Sequence, residues 1–258
     1  MYVFSHLSQT DTSLEMSEGN VAIISCKMPR SNPPAQPLFF FNDNPIGSES
    51  GETNQNNRYK IFPSGNLQIA NVKPDDTGVY RCGARNPLTG EVKANPSRTR
   101  LRVYAPFGTK LPEIVHAPVD TNRVRVGANL TLECVANGAP VPLVSWEKFG
   151  GVLPERRATQ VYGNLVLTGV QLTDKGTYVC RAENGPGQAT FKTAMVDVFE
   201  APSTLGASQE EKLTTTHAAR QGQHVQLKCP IRSRPRADVQ WFYQGRSLVS
   251  ALCFLSIC

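Results

Sequence analysis

Seven cysteines, Cys26, Cys82, Cys134, Cys180, Cys229, Cys253 and Cys258, are the residues of this 258-residue sequence best placed to do chemistry. None stands with a histidine at a metal-binding spacing, so the chemistry they suit is oxidation to cross-links that close long loops. The four histidines, His6, His116, His217 and His224, are scattered and form no HExxH. Serine, histidine and aspartate are all present, but no GxSxG turn frames a nucleophile. The glycines of ENGPGQ follow a strand-like run and suit a hairpin turn, because a phosphate cradle would need a helix behind them. No catalytic residue, metal or cofactor is therefore expected. Two other groups could act at a surface. Asn129, in NLT, is an acceptor for an N-linked glycan, whereas Asn95, in NPS, is blocked by proline. Arg98, Arg100 and Arg102 alternate in SRTRLRVY, so on a strand they line one face while Thr99, Leu101 and Val103 line the other. Such a row could hold sulfated polysaccharide through bidentate hydrogen bonds. It could equally be the charge that keeps an edge strand from pairing.

The elements that must position these residues are short strands, and they repeat. Cys26 ends VAIISC, Cys134 ends LTLEC and Cys229 ends VQLKC, three alternating runs with an apolar side to turn inward. Cys82 closes DDTGVYRC and Cys180 closes TDKGTYVC, so Asp76, Gly78, Tyr80 and Cys82 recur as Asp174, Gly176, Tyr178 and Cys180. In a β-sandwich a tyrosine two residues before a cysteine returns its hydroxyl to upstream backbone, while the cysteine faces the interior and bridges the sheets. Trp146 and Trp241 follow the first cysteine of their units by 12 residues, where an indole packs on that bridge. Unit one has no tryptophan there, and Phe39 or Phe40 must fill the place. Leu67 and Ile69, then Leu165 and Leu167, are the inward residues of one further strand in each unit. The expected bridges, Cys26 to Cys82 and Cys134 to Cys180, close loops of 56 and 46 residues. Each loop closure is worth roughly 4 kcal/mol in the chain-entropy picture. The extra length in unit one falls in the polar run SESGETNQNNR, read as a surface loop.

This pattern predicts an all-β chain of tandem immunoglobulin-like (I-type) β-sandwiches at residues 1–105 and 106–200, followed by a shortened third at 201–258. The third unit lacks a second DxGxYxC and ends in an aberrant apolar tail, so Cys229, Cys253 and Cys258 are expected to be free or mispaired thiols. Each complete sandwich is expected to have its own core. The net charge of +6 makes the surface modestly attractive to anionic polymers or membranes. No run of about 18 apolar residues is present to span a bilayer. The opening MYVFSHLSQTDTS also lacks the basic and apolar regions of an export signal. Because disulfides need an oxidising compartment, the natural N-terminus is expected to lie upstream, and any membrane attachment to come from segments beyond this chain. The alternative is an intracellular structural array with reduced cysteines.

The wording around the strands is more specific than their pattern. CKMPRSNPPA, IFPSGNLQIANV and YRCGARNPLTGEVK in unit one, with LECVANGAPVP and CRAENGPG in unit two, resemble the hedgehog co-receptor family, Cdon and Boc of vertebrates and interference hedgehog and brother of ihog of insects. The resemblance runs over about residues 10 to 249 and aligns the units with the family's second, third and fourth immunoglobulin domains. It implies a glycosylated, non-catalytic ectodomain segment of a single-pass cell-surface protein acting in hedgehog (smoothened) signalling and cell adhesion. The implied partners are hedgehog ligand through the parent protein, homophilic or heterophilic adhesion partners and heparan sulfate, with no nucleic acid. In that family the ligand and heparin contacts are assigned mainly to fibronectin type III modules, and none of those occurs in this sequence. The competing reading is the immunoglobulin ectodomain of another adhesion or receptor protein, such as an axon guidance molecule or a receptor kinase or phosphatase.

Overall fold

The computed structural model describes residues 11–29, 31–46, 58–185, 187–204, 216–229, 231–250 and 254–257. The first unit runs through β1 (Thr12–Ser17), β2 (Ala22–Ile24), β3 (Gln36–Phe41), β4 (Asn44–Ile46), β5 (Tyr59–Ile61), β6 (Leu67–Ile69), β7 (Gly78–Arg85) and β8 (Val92–Tyr104). They form two facing sheets, one ordered β1-β8-β7-β3-β4 and the other β2-β6-β5. Alternation sets which residues meet between them: Met16, Ile24, Phe39, Leu67, Ile69, Tyr80 and Leu101 are buried in one core with Cys26 and Cys82. Asn42 and Asp43 turn β3 into β4 with φ of 47° and 68°, the left-handed backbone that short polar side chains tolerate and that matches strand twist.

The second unit repeats the plan with β9 (Lys110–His116), β10 (Thr121–Arg125), β11 (Leu130–Leu132), β12 (Val135–Ala139), β13 (Leu143–Lys148), β14 (Ala158–Val161), β15 (Asn164–Leu167), β16 (Gly176–Glu183) and β17 (Thr190–Thr204). Here the sheets are β10-β17-β16-β13 and β11-β15-β14, and β9 pairs with β12. Leu132, Trp146, Leu165, Leu167, Val170, Tyr178 and Val196 surround Cys134 and Cys180. Of the two phenylalanines proposed to stand in for tryptophan in unit one, it is Phe39 that does so. It lies opposite Cys82 in register, as Trp146 lies opposite Cys180, and is fully buried.

Strands β18 (Val225–Lys228), β19 (Ile231–Arg234), β20 (Gln240–Tyr243), β21 (Arg246–Ser250) and β22 (Phe254–Ile257) follow. β18 pairs with β22 and β20 with β21. β19 pairs with the far end of β17, Glu200 opposite Arg234 and Ser203 opposite Arg232, so β17 passes unbroken through position 200. Among the described residues no helix is long and apolar enough to cross a membrane.

Candidate functional site

Each repeated DxGxYxC builds the same corner. Tyr80 donates its hydroxyl to the Asp76 carbonyl at 2.9 Å, and Tyr178 to that of Asp174 at 2.8 Å. Burial pushes the Tyr178 hydroxyl up to about 12 and raises that of Tyr80 as well, so both stay protonated donors. The aspartates themselves are buried and each accepts a bidentate arginine fork. Arg58 Nη1 and Nη2 reach Asp76 at 2.8 and 3.1 Å, and Arg157 reaches Asp174 at 2.5 and 2.9 Å. Two residues on from each tyrosine, Cys82 is bonded to Cys26 and Cys180 to Cys134. Cys229 is a free thiol. Cys253 and Cys258 lie outside the described residues, as does SESGETNQNNR apart from Arg58.

Between the two units runs a polar seam that repeat spacing does not announce. Ser17, Asn20, Gln68, Glu133, Asn137 and Asn164 are all buried although each lies on or beside an outward strand face. Asn66 and Asn164 hold matching places before β6 and in β15, and they use their amides alike. Oδ1 of each accepts the N–H of its own unit's first cysteine, Cys26 at 2.9 Å and Cys134 at 3.1 Å. The Nδ2 of each crosses the seam, Asn66 to Glu133 at 2.7 Å and Asn164 to Gln68 at 2.7 Å. Gln68 also donates to the Tyr162 carbonyl at 2.8 Å. Glu133 further accepts from Ser64 and faces His116 Nε2 at 3.2 Å. Burial works against that carboxylate, yet the hydrogen bonds from His116, Ser64 and Asn66 outweigh it and hold the carboxyl below the usual glutamate range.

A second cluster closes the seam near the short link between the units. Asn137 accepts the Ser17 N–H at 3.1 Å and donates to the Glu15 carbonyl at 3.1 Å. Asn20 donates to the Gly138 carbonyl at 3.0 Å and accepts the Gly138 N–H at 3.3 Å. Position 138 requires glycine, since a Cβ there would sit 2.8 Å from Pro142 and 3.0 Å from the Asn184 amide. With both clusters made, β6 and the turn before β2 of the first unit meet the second unit, and the β1-β8-β7-β3-β4 sheet touches it through the backbone of its β1 edge.

On β8 of that sheet Arg98, Arg100 and Arg102 are exposed, while Leu101 and Val103, which alternate with them, are buried. The row does not lie on an edge. β8 is paired on one side with β1, Ser13 opposite Arg100, and on the other with β7, Arg81 opposite Arg98. The reading of this charge as edge protection therefore fails, because both sides of the strand are already occupied. Asn129, exposed at the turn before β11, accepts the Gly169 N–H at 3.0 Å through Oδ1. Among the described residues no group of three or more His, Cys, Asp or Glu is placed to hold a metal ion.

The family described as "Immunoglobulin domain" matches residues 5–86 and 112–184. The chain belongs to that family. Its immunoglobulin domains are 37% identical over 242 residues to human Brother of CDO, covering 92% of this chain and 21% of that protein. They are 33% identical over 248 residues to the Xenopus laevis Cell adhesion molecule-related/down-regulated by oncogenes, covering 95% and 19%. The resemblance to the Cdon and Boc group is thus borne out, and the chain spans about a fifth of the length of these relatives. Chicken Contactin-5 is 30% identical over 95% of the chain and 23% of its own length. Among solved structures, the N-terminal four immunoglobulin domains of a Dscam1 isoform match with a TM-score of 0.69, 24% identity and coverage of 98% and 66%, which shows the shared fold.

Sequence reasoning placed the bridges and corners of both immunoglobulin domains, but it missed Arg58 and Arg157 and the whole seam. The arginines carried a signal, since each lies at a similar distance ahead of its repeated aspartate. The seam carried a weaker one in the repeated asparagine of GNLQI and GNLVL.

Proposed function

We propose that this chain is a non-catalytic extracellular binding segment of a hedgehog co-receptor and adhesion protein of the cell surface, in which two docked immunoglobulin domains hold neighbouring modules at a set angle. The observation that carries this reading is the 37% identity to Brother of CDO over 242 residues, 92% of the chain, more than the short cysteine and tyrosine motif could supply. Two bonded cysteine pairs support an oxidising, extracellular setting. Asn129 is proposed to carry an N-linked glycan, supported by its exposure just before β11. Treatment of secreted protein with an amidase that removes N-glycans should increase its mobility, and Asn129→Gln should abolish that change.

The partners proposed for the parent protein are hedgehog ligand and adhesive proteins on facing cells. The test is ligand capture by this chain beside the full transcript product displayed on cells. Capture by the full product alone, with no submicromolar, salt-resistant binding by this segment, is the expected result. Absence of capture by the full product would refute the co-receptor reading. The 30% identity to Contactin-5 favours a second reading, a purely adhesive protein. Bead aggregation without ligand capture would select it.

A further inference from the structure

We propose that the outward face of β8 and β7 in the first immunoglobulin domain is a binding site for a sulfated polysaccharide chain, a reading that rests on the extracellular setting. Arg98, Arg100 and Arg102 stand at every second position, about 6.7 Å apart along the strand, so the row extends roughly 13 Å on a flat sheet. Arg81 adds a fourth guanidinium beside it, directly opposite Arg98 on β7 and on the face away from buried Tyr80 and Cys82.

Like charges directly opposite across strands destabilise a sheet, and here they are concentrated on strands whose edges are already paired. Three carboxylates lie at this face or its edge, and one of them, Asp11, accepts the Arg98 backbone N–H at 3.2 Å. Asp43 binds Arg81, and Glu15 stands 3.9 Å from Arg102. The guanidiniums of Arg98 and Arg100 have no acidic partner among the described residues, and both are exposed. A face with uncompensated, forked donors in a line suits a linear polymer of anions, each sulfate accepting two parallel N–H bonds. A lipid surface fits it less well, because no exposed apolar side chain rises between the arginines to enter a bilayer. The seam takes up Gln68 on the opposite sheet and meets this sheet only at the backbone of β1, so the exposed arginines of β8 stay open to a ligand.

The test compares the whole chain with Arg98→Gln/Arg100→Gln and with Arg125→Gln/Arg156→Gln, two exposed arginines of the second domain that serve as a control for net charge. Each protein is titrated with a defined heparin oligosaccharide at several salt concentrations, after melting temperature has confirmed native folding. The Arg98→Gln/Arg100→Gln variant should lose about tenfold in affinity and about two from its logarithmic salt slope, while Arg125→Gln/Arg156→Gln matches the unaltered chain. Equal losses in the two variants, equal binding of fully desulfated chains, or no binding by the unaltered protein at low salt would each overturn the site. Phosphatidylserine vesicles competing as well as heparin would overturn it in favour of a membrane. The assay reads polysaccharide alone, so its failure and failure of hedgehog capture are separate results.

Discussion

At the scale of residues, the two domains rely on one repeated device, a buried aspartate that receives an arginine fork and a backbone N–H. For Asp174, burial works against the charge, but the hydrogen bonds from Arg157 and the Gln171 N–H outweigh it. The same balance, with Tyr59 as an added donor, holds Asp76 below the usual aspartate range. Removing one partner leaves the other charge partly buried and unpaired, which costs about 3 kcal/mol. Asp174→Asn should therefore lower the melting temperature of the second domain by about 10 °C or more, and calorimetry showing a shift under about 2 °C would contradict this account. The pH dependence follows in sign. Both carboxyls have folded pKa values below their unfolded value of about 3.9, so their contribution is complete above that value and is lost as pH falls through the folded one. Melting temperature followed from pH 6 downward should drop below about pH 4, and the Asp76→Asn/Asp174→Asn double variant should show a shallower decline.

At the scale of elements, β6 and β15 do two jobs at once. Leu67, Ile69, Leu165 and Leu167 fill the cores, and the residues between or before them, Gln68, Asn66 and Asn164, dock one domain on the other. The seam is polar, so its net contribution is modest at about 1 kcal/mol per bond, but leaving a buried group without its partner costs more. It therefore specifies an angle between domains more strongly than it drives their association. Gln68→Ala strips partners from both the Asn164 amide and the Tyr162 carbonyl. It should widen the particle in small-angle scattering and speed cleavage in the 105–109 link. A double-mutant cycle with Asn164→Ala should return a coupling of about 0.5–3 kcal/mol. Additive effects and an unchanged scattering profile would remove the seam from the account of interdomain geometry.

At the scale of the whole molecule, the seam alters what a lost disulfide should do. Two sandwiches with separate cores suggest that Cys180→Ser unfolds the second domain alone, at a cost of about 2–5 kcal/mol. The structure adds a consequence for its neighbour, because an unfolded second domain no longer supplies partners to Gln68, Asn66 and Asn20. Amide exchange in β2 and β6 of the first domain should therefore accelerate in Cys180→Ser. Protection there equal to that of the unaltered chain would show that the domains are energetically independent.

Much of this was legible in the sequence because the features are local and repeated. Alternation placed Leu67 and Leu165 inward, and DxGxYxC placed Tyr80, Tyr178 and the bridged cysteines, since a strand's period of two and a corner of seven residues are written along the chain. The choice of Phe39 over Phe40 was decided by register, the pairing with Cys82 that puts one ring in the core and the other outside. Whether the row Arg98, Arg100 and Arg102 guarded an edge depended on β1, which joins β8 from the far end of the domain and leaves no edge to guard. Only the tertiary structure could show that Gln68 and Glu133 are buried. Their cover comes from residues 67 to 96 positions away, and no local pattern encodes a surface that exists only once two finished domains meet.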